Sequence, residues 1–279
     1  MALQITSLNS GSNGNCYYIG NGTEAVLVDM GISCKETEKR MQALGLDIKK
    51  VKAIFISHEH TDHIKGLATI ASKYALPVFI TQPTYLKSGL QLQTTALQWI
   101  KAHEAVPVGN LTVTAFPKKH DAHDPHSFVI TGDGVTVGVF TDIGAACINV
   151  TQYFGQCHAA FLEANYDEDL LENGRYPYFL KNRIRGGLGH LSNKQALEIF
   201  TTHRPSFMSH LFLSHLSKDN NDPQLVQDLF ENHSLSTKII VAPRHKATDI
   251  YTIQHNTKAV LSNVIIKNRK KPLQMALFN

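Results

Sequence analysis

The segment that most constrains this chain is Phe55–Ile64, which reads FISHEHTDHI and follows an apolar run. His58 and His60 are two residues apart, so in an extended segment both side chains leave the same face. Asp62 and His63 follow where the chain turns into a predicted helix, and we expect them to project into the same cavity. Four ligand-type side chains within this short segment can supply two adjacent metal sites, and imidazole with carboxylate suits Zn or Mn.

Composition favours a metal enzyme and leaves its partner open. The chain has 279 residues and 15 histidines, many of them in short clusters, and histidine is the commonest metal ligand. A formal charge of +4 permits a nucleic-acid partner without requiring one. The four cysteines form no CxxC pair, and we see neither an export signal nor an apolar run of about 18 residues. We therefore expect a cytoplasmic protein without a membrane span, and no segment indicates an obligate protein partner or an oligomeric state.

Hydrophobic patterning predicts an α+β fold. Asn21-Gly22 between two β-rich runs is typical of a hairpin, and Ser33 begins a helix to about Leu44, with Glu36 as capping partner. The predicted strands are Leu3–Ser7, Cys16–Ile19, Ala25–Asp29, Val51–Ser57, Pro77–Ile80, Thr112–Phe116, Ser127–Thr131, Thr136–Thr141, Ala159–Glu163, Lys238–Val241 and Ala259–Lys267. The other predicted helices are Ile64–Tyr74, Asn193–Thr202 and Pro223–Glu231.

The domain organisation is expected to be simple. There is no internal repeat and no low-complexity linker, so residues 1–279 should form one domain with two mixed sheets covered by helices. Its candidate ligands lie within a core at 1–230, and a C-terminal strand and helix segment occupies 231–279. The end of the chain carries Lys267, Arg269, Lys270 and Lys271, which suit either a nucleic-acid arm or a solvated tail.

The HxHxDH spacing of the first motif resembles the metallo-β-lactamase superfamily, whose ligand signature continues with a distant His, a distant Asp and a last His. The resemblance implies a four-layer αββα sandwich. It also implies that His120, in Pro117–Asp124, completes the first metal site with His58 and His60. His123 and His126 are close rivals for that position.

The later motifs of the superfamily can be matched in order. Asp142 ends an apolar strand in a TDIG sequence that resembles the bridging aspartate motif, although a turn or capping aspartate has the same local pattern. Two candidates remain for the last histidine. His215, after another apolar strand, resembles the terminal ligand and would join Asp62, His63 and Asp142 at the second site. His190, in GHLS, resembles an element of phosphodiesterase branches that lies near the scissile phosphate.

A narrower resemblance comes from five further elements that occur in order. They are SGSNGN at 10–15, EANYD at 163–167, YPxxLKxRI at 176–184, GHLSN at 189–193 and HLSxxNN at 215–221. Together they resemble the WalJ (YycJ) family, over roughly residues 3–230. That resemblance implies a metal-dependent 5′→3′ exonuclease on double-stranded DNA. About seventy residues separate Asp142 from His215, so the β-CASP insertion of nucleic-acid-processing relatives is expected to be absent.

The implied chemistry assigns three catalytic residues. Two ions about 3.5–4 Å apart would share a bridging hydroxide and neutralise charge on the phosphoryl oxygens. Asp62 is expected to bind the second ion and orient this nucleophile. His190 is the candidate proton donor to the leaving oxygen, with Glu163 as its orienting carboxylate or, alternatively, as an ordinary salt-bridging acid.

Candidate substrate contacts surround these residues. Basic side chains that precede His190 in the sequence suit contacts with a DNA backbone. A glycine-containing loop lets backbone N–H groups approach an anion, and side-chain hydroxyl and amide groups can donate to phosphate oxygens. The same residues could instead have only structural roles, as an exposed basic face, a tight turn and a helix N-cap. The candidates are Lys181, Arg183, Ser12, Asn13, Asn15, Ser192 and Asn193, with Arg185 beside the first two.

Two other functions fit the same ligands. A small-molecule cyclic phosphodiesterase, of the phosphoribosyl cyclic phosphate type, shares HxHxDH and a GHxS-like histidine. A non-catalytic metal-binding regulator on the same fold would usually have lost a ligand, and here every expected ligand is present.

Overall fold

The computed structural model describes residues 2–255, which form two seven-stranded sheets. The strands are β1 (Ala2–Asn9), β2 (Cys16–Gly20), β3 (Ala25–Val28), β4 (Val51–Phe55), β5 (Val78–Ile80), β6 (Leu97–Trp99), β7 (Ala105–Val108), β8 (Leu111–Pro117), β9 (His126–Gly132), β10 (Val135–Phe140), β11 (Ala159–Glu163), β12 (His210–Ser214), β13 (Lys238–Val241) and β14 (Tyr251–Gln254). The first sheet has the order β14-β1-β2-β3-β4-β5-β6 and the second β13-β12-β11-β10-β9-β8-β7.

Nine helices connect these strands within the described residues. They are α1 (Cys34–Ala43), α2 (Thr61–Ile64), α3 (Leu67–Tyr74), α4 (Gln82–Ser88), α5 (Ile148–Phe154), α6 (Glu168–Asn173), α7 (Tyr178–Arg185), α8 (Asn193–His203) and α9 (Pro223–Glu231). Two short 3₁₀ helices cover Ile48–Lys50 and Thr94–Ala96.

The layers follow from which faces are apolar. One core cluster joins side chains of both sheets, such as Ile5 and Phe161, so the sheets pack face to face. A second cluster covers the outer face of the second sheet with α5, α8 and α9, and a third covers the outer face of the first sheet with α1 and α3. The predicted αββα sandwich of two mixed sheets is confirmed.

Several local predictions are also confirmed. β2 and β3 pair as an antiparallel hairpin, and Asn21 Oδ1 accepts hydrogen bonds from the backbone N–H of Thr23 and Glu24 in its turn. Ser33 caps α1 by accepting from Glu36 N at 3.2 Å. The reciprocal half of that capping interaction was wrongly predicted, because the Glu36 carboxylate instead accepts from Arg40 Nε at 2.7 Å.

The predicted helix Ile64–Tyr74 is divided in the structure into α2 and α3. Gly66 separates them, and its N–H donates to Met30 O at 2.8 Å. A Cβ at Gly66 would lie 2.0 Å from Ile32 O, so only glycine permits this close approach. The break therefore comes from a tertiary contact that local periodicity does not contain.

The C-terminal part of the sequence is described as far as residue 255. β14 pairs antiparallel with β1 and completes the first sheet. The predicted strand Ala259–Lys267 and the basic tail lie outside the described residues, and the single-domain organisation stays a prediction. Asp142 and His215 are connected by α5, β11, α6, α7, α8 and β12, so no β-CASP insertion lies between them.

None of the helices within residues 2–255 is long and apolar enough to cross a membrane. The predicted cytoplasmic location stays a prediction.

Candidate metal centre

The candidate ligands lie where strands of both sheets end. His58 and His60 follow β4, His120 follows β8, Asp142 follows β10 and His215 follows β12. The sequence places them far apart, and the sandwich brings all five to one edge. Adjacent parallel strands, such as β10, β11 and β12, end at the same edge of a sheet, which explains how separate motifs converge.

The first group contains three histidines. Ring nitrogens of His58, His60 and His120 lie within 4.8 Å of one another, and His58 Nε2 is 3.1 Å from His60 Nδ1. Two nitrogen ligands of a tetrahedral zinc ion lie about 3.3 Å apart, so this pair needs little movement to hold one ion. His120 Nδ1 donates to Gly189 O at 3.0 Å, which leaves Nε2 for the metal.

The second group contains two carboxylates and two histidines. His63 Nε2 lies 2.9 Å from Asp142 Oδ2, and His215 Nε2 lies 3.6 Å from Asp62 Oδ2. His215 Nε2 is also 3.5 Å from Asp142 Oδ1, which in turn is 3.9 Å from His120 Nε2 of the first group. The Asp142 carboxylate therefore lies between the two groups, as expected for a bridging ligand.

The rivals of His120 are placed elsewhere. His123 is exposed, and its backbone N–H donates to Glu59 Oε1 at 2.8 Å. His126 begins β9, and its Nδ1 is 2.9 Å from Asp124 O. Neither belongs to a ligand group among the described residues, so the geometry favours His120.

The donor atoms fit a cation. Among the described residues, Nε2 of His120 and Nε2 of His215 are buried without a hydrogen-bond partner, which costs free energy unless something binds there. Burial lowers the pKa of His58 well below its usual value and that of His120 to about 4. Burial opposes the charge of Asp142, but His215 and His63 hold its pKa well below the usual range. Neutral imidazole and ionised carboxylate are the forms that bind metal, and His58, His120 and Asp142 favour those forms. At the second group burial opposes the charge of both histidines, but Asp142 and the neighbouring carboxylates raise the pKa of His63 well above its usual value and that of His215 to about 10, so a metal ion that binds there displaces their protons.

His190 lies beside this cluster and is held by Glu163. His190 Nδ1 is 2.8 Å from Glu163 Oε1 and 3.6 Å from Asp142 Oδ1. Glu163 also accepts from His215 Nδ1 at 3.0 Å and from Ile143 N at 2.7 Å. Although burial opposes the charge of Glu163, His190 and His215 hold its pKa at about 2. One ionised carboxylate thus orients a candidate ligand and a candidate proton donor.

Comparison with known proteins agrees with this geometry. A family model described as a beta-lactamase superfamily domain matches residues 24–215, a span that begins before the first motif and ends at His215. The chain belongs to the metallo-β-lactamase superfamily. The superfamily and the His/Asp groups together indicate a metal-dependent hydrolase that binds divalent ions.

Two curated relatives narrow the assignment within the metallo-β-lactamase superfamily. The chain is 33% identical over 230 residues to the exodeoxyribonuclease YycJ of Bacillus anthracis, an alignment that covers 81% of this chain and 87% of the relative. It is 28% identical over 254 residues to the exodeoxyribonuclease WalJ of Streptococcus pneumoniae, with 89% and 94% covered. The chain is therefore a WalJ/YycJ-like member of the superfamily, and the predicted resemblance is confirmed.

A solved structure supports the fold. The metallo-β-lactamase fold protein YhfI from Bacillus subtilis superposes with a TM-score of 0.70 at 17% identity, over 90% of this chain and 99% of that one.

Asp29 contacts a candidate ligand, and the sequence analysis did not single it out. It follows β3, and its carboxylate accepts from Ser57 N at 2.8 Å, from Ser57 Oγ at 2.9 Å and from His63 Nδ1 at 2.7 Å. Such a carboxylate fixes the ring orientation of a metal-binding histidine. Asp29, Asp142 and His215 each follow a strand end and have positive φ, between 54° and 61°, a conformation that is uncommon outside glycine and often occurs at functional sites. The sequence signal was an acid that ends the apolar run AVLVD.

Lys118 is a second residue that the sequence analysis did not single out. It is buried, and its Nζ donates to Thr141 O at 2.6 Å, directly before Asp142. Burial lowers the pKa of this lysine, although the carboxylates of Asp142 and Asp29 oppose that effect. A cation at this position compensates part of the negative charge of the cluster.

Asn15 lies inside the metal cluster and not on an open loop. Its Oδ1 accepts from Gly11 N at 3.1 Å, and its Nδ2 lies 3.0 Å from His63 Nε2 and 3.4 Å from Asp62 Oδ2. The side chain is fully buried. These contacts hold Asn15 against Asp62 and His63, and its predicted phosphate contact stays a prediction.

The remaining predicted substrate contacts have different surroundings. Ser12 Oγ accepts from Arg244 Nη2 at 3.1 Å, and Asn13 Nδ2 donates to Arg244 O at 2.7 Å, so this loop is tied to an arginine that the sequence analysis missed. Ser192 is buried as the N-cap of α8 in a capping box with Gln195, which confirms the capping alternative.

Asn193 is engaged within the fold, because its buried amide pairs with Asn221 at 2.9 Å in both directions, and its predicted phosphate contact stays a prediction. Lys181 and Arg183 lie on α7, whose last turn leads to His190. The donors predicted at 192 and 193 therefore hold the fold together, and those on α7 remain candidates for substrate.

Metal removal should destabilise the protein. Ions that bind the folded chain and not the unfolded one raise the free energy of unfolding by about 2.7 kcal/mol at 100 times Kd, for each site. We expect Zn²⁺ or Mn²⁺ to raise Tm by several degrees in differential scanning fluorimetry, and a chelator to reverse the shift. A Tm that does not respond to either ion at saturating concentration would contradict the assignment of the two groups as metal sites.

Replacing Gly31 by alanine should damage the centre although no ligand side chain is substituted. A Cβ at Gly31 would lie 1.6 Å from Asp62 O and 2.5 Å from Asn15 N, and both are backbone atoms. Such overpacking costs about 2–3 kcal/mol, and we expect Tm to fall by about 5–10 °C and metal affinity to fall with it. The matched control is Gly22→Ala, since a Cβ there meets no atom within 4 Å. Equal Tm and equal metal affinity in the two variants would contradict this explanation of the loop packing.

Proposed function

We propose that this protein is a binuclear metal-dependent phosphodiesterase that acts as a 5′→3′ exonuclease on double-stranded DNA. The observation that carries the proposal is the His190–Glu163 pair, 2.8 Å apart, beside the two ligand groups. The leaving oxygen of a phosphodiester needs a proton, and His190 lies where a general acid can supply it. The two curated relatives named exodeoxyribonuclease support DNA as the substrate.

The ligand assignment under this proposal uses both groups. His58, His60 and His120 would hold one ion, and Asp62, His63 and His215 the other, with Asp142 between them. When bound, two Zn²⁺ or Mn²⁺ ions activate water and stabilise charge on phosphoryl oxygens.

The other residues act on the substrate and on each other. Asp62 is the most exposed of the second-group ligands, so its carboxylate also orients the attacking water. His190 donates to the leaving oxygen through Nε2, because its Nδ1–H is held by Glu163. The side chain of His190 is 22% exposed, which leaves it accessible to a substrate.

The test is a polarity assay with purified protein, Mn²⁺ or Zn²⁺, and a 5′-phosphorylated duplex labelled at one 3′ end. We expect the labelled strand to shorten progressively from its 5′ end. A second duplex, labelled at its 5′ end, should release labelled mononucleotide in the first turnovers. An Asp142→Asn variant serves as the inactive control.

The outcomes separate the alternatives. If the metal-bound protein leaves the duplex intact but hydrolyses a small cyclic phosphodiester, the result would favour a small-molecule phosphodiesterase. DNA binding without hydrolysis of either substrate would favour a non-catalytic regulator. Shortening of the strand from its 3′ end would support a nuclease but contradict the proposed 5′→3′ polarity.

A further inference from the structure

Helix α7 presents aromatic side chains to solvent. None of its eight residues is buried, and Tyr178 and Phe179 are 70% and 74% exposed. Leu188, just beyond the helix, is also more than half exposed. Large apolar groups that lie together on a surface commonly mark an interaction site. The ligand chemistry described above gives these residues no role.

The C-terminal end of α7 is joined directly to the metal centre. His190 N donates to Ile184 O at 2.8 Å, and Gly189 O accepts from His120 Nδ1 at 3.0 Å. A Cβ at Gly189 would lie 2.1 Å from Ile184 O, so the chain packs tightly against the helix here. Phe179 is five residues before Ile184, which is about 7.5 Å along a helix.

The charge around the aromatic pair suits a polyanion. Residues 174–190 include Arg175, Lys181, Arg183 and Arg185 and contain no Asp or Glu. Arg183 is 60% exposed and pairs with Asp121 at 2.6 Å, and Arg185 pairs with Glu172 at the same distance. Exposed ion pairs contribute little to stability, so a phosphate can replace the carboxylate at small cost.

Phe179 and Arg183 share one face of α7. They are four residues apart, so their side chains are neighbours on the helix surface. The Arg183 guanidinium contacts Asp121, which follows His120. This face of the helix is therefore on the side of the first ligand group. The ring of Tyr178 is less available for stacking on a base, because the Arg185 guanidinium lies 5.6 Å from its centre.

We propose that α7 is a base-stacking platform, on which Phe179 stacks against a base near the scissile phosphodiester and Arg183 binds the adjoining phosphate. An exposed aromatic ring beside an exposed cation matches the two chemical parts of a nucleotide. If the end of a duplex opens at this site, stacking of Phe179 on a released base offsets part of the cost of unpairing it. The inference rests on the proposed function, because its occupant is the DNA strand.

The test uses a series at position 179 in the full-length protein. We expect Phe179→Ala and Phe179→Leu to lower kcat/KM for the 5′-phosphorylated duplex by about tenfold or more, because neither side chain can stack. Phe179→Trp should retain activity on the duplex. Each value is divided by kcat/KM for bis(p-nitrophenyl) phosphate, so that a general defect in the metal centre cancels. Trp99→Ala, an exposed aromatic at β6, is the matched control and should leave the ratio at the parent value.

A second readout tests the phosphate contact. Arg183→Gln should reduce the slope of log kcat/KM against log salt by about one ionic contact, whereas Phe179→Ala should leave the slope unchanged. The same ratio in Phe179→Ala, Phe179→Leu and the parent would overturn the platform. A change of oligomeric state in light scattering with unchanged duplex cleavage would also overturn it, in favour of a subunit contact. If the parent protein leaves DNA intact, the proposed function fails. That result differs from one in which the parent cleaves DNA and substitutions at Phe179 do not change the rate, which would contradict only the stacking platform.

Discussion

We expect Asp142→Asn to lose hydrolysis and metal binding together, with a fall in kcat/KM of about a thousandfold or more. Asp142 is buried, its Oδ1 lies within 4 Å of ring nitrogens of both ligand groups, and its Oδ2 lies 2.9 Å from His63 Nε2. Asparagine has the same shape and tolerates the positive φ of 54° at this position, so the substitution removes the charge without forcing a backbone change. Loss of a bridging anion removes several kcal/mol of transition-state stabilisation, and each 1.36 kcal/mol is a factor of ten.

The measurement combines metal analysis after dialysis with steady-state rates on DNA. The chain offers a close control in Asp133, which also has a φ of 54° but lies in the turn between β9 and β10. Asp133→Asn should retain the parent metal content and rate. A metal-free Asp142→Asn protein that still hydrolyses DNA, or a fully metallated and fully active one, would remove Asp142 from the bridging position.

The first ligand motif was predictable because its geometry is local. The spacing of His58, His60, Asp62 and His63 decides which side chains share a face, and an apolar strand before them fixes their position at a sheet edge. The tertiary structure then only has to bring the remaining ligands to that edge of the sheet. The N-cap at Ser192 was predictable for the same reason, since its box with Gln195 lies within one turn.

The third ligand could not be decided from the sequence. His120 and His123 are both in a polar loop after a strand, and no local pattern distinguishes them. The structure distinguishes them through Gly189 O, which accepts from His120 Nδ1 and comes from a segment nearly seventy residues away. Asp29 was missed for a similar reason, because its relation to His63 depends on the parallel pairing of β3 with β4.

Helix α7 escaped prediction on physical grounds. An amphipathic helix shows in the sequence because one face is apolar, and α7 buries none of its residues. The division between α2 and α3 at Gly66 was equally invisible, because its cause is the approach of the Ile32 carbonyl. A helix that buries no face, or whose end is set by a contact with a residue far away in the sequence, has no hydrophobic periodicity that would reveal it in the sequence.

His190→Ala should retain both metals and lower kcat by about a hundredfold to ten-thousandfold, the range expected for loss of a general acid. Both ligand groups are complete without His190, and removing its ring leaves the bond between Glu163 and His215 Nδ1 in place. Glu163→Gln should differ, because the amide loses the charge that orients both His190 and His215. We therefore expect Glu163→Gln to lower metal affinity as well as kcat, by about 10- to 100-fold in affinity.

The pair of variants separates proton donation from metal support. Metal content, metal affinity and single-turnover rates on DNA are measured for both proteins, and a DNA end with a leaving group of low pKa, such as a 5′ p-nitrophenyl ester, is the second substrate. A good leaving group needs no proton, so it should restore much of the rate of His190→Ala and little of that of Glu163→Gln. If His190→Ala loses metal, the histidine is a ligand; if it retains full turnover on ordinary DNA, it has no part in the chemistry. Because Glu163 contacts both imidazoles through one oxygen, only this comparison assigns its two effects to separate rings.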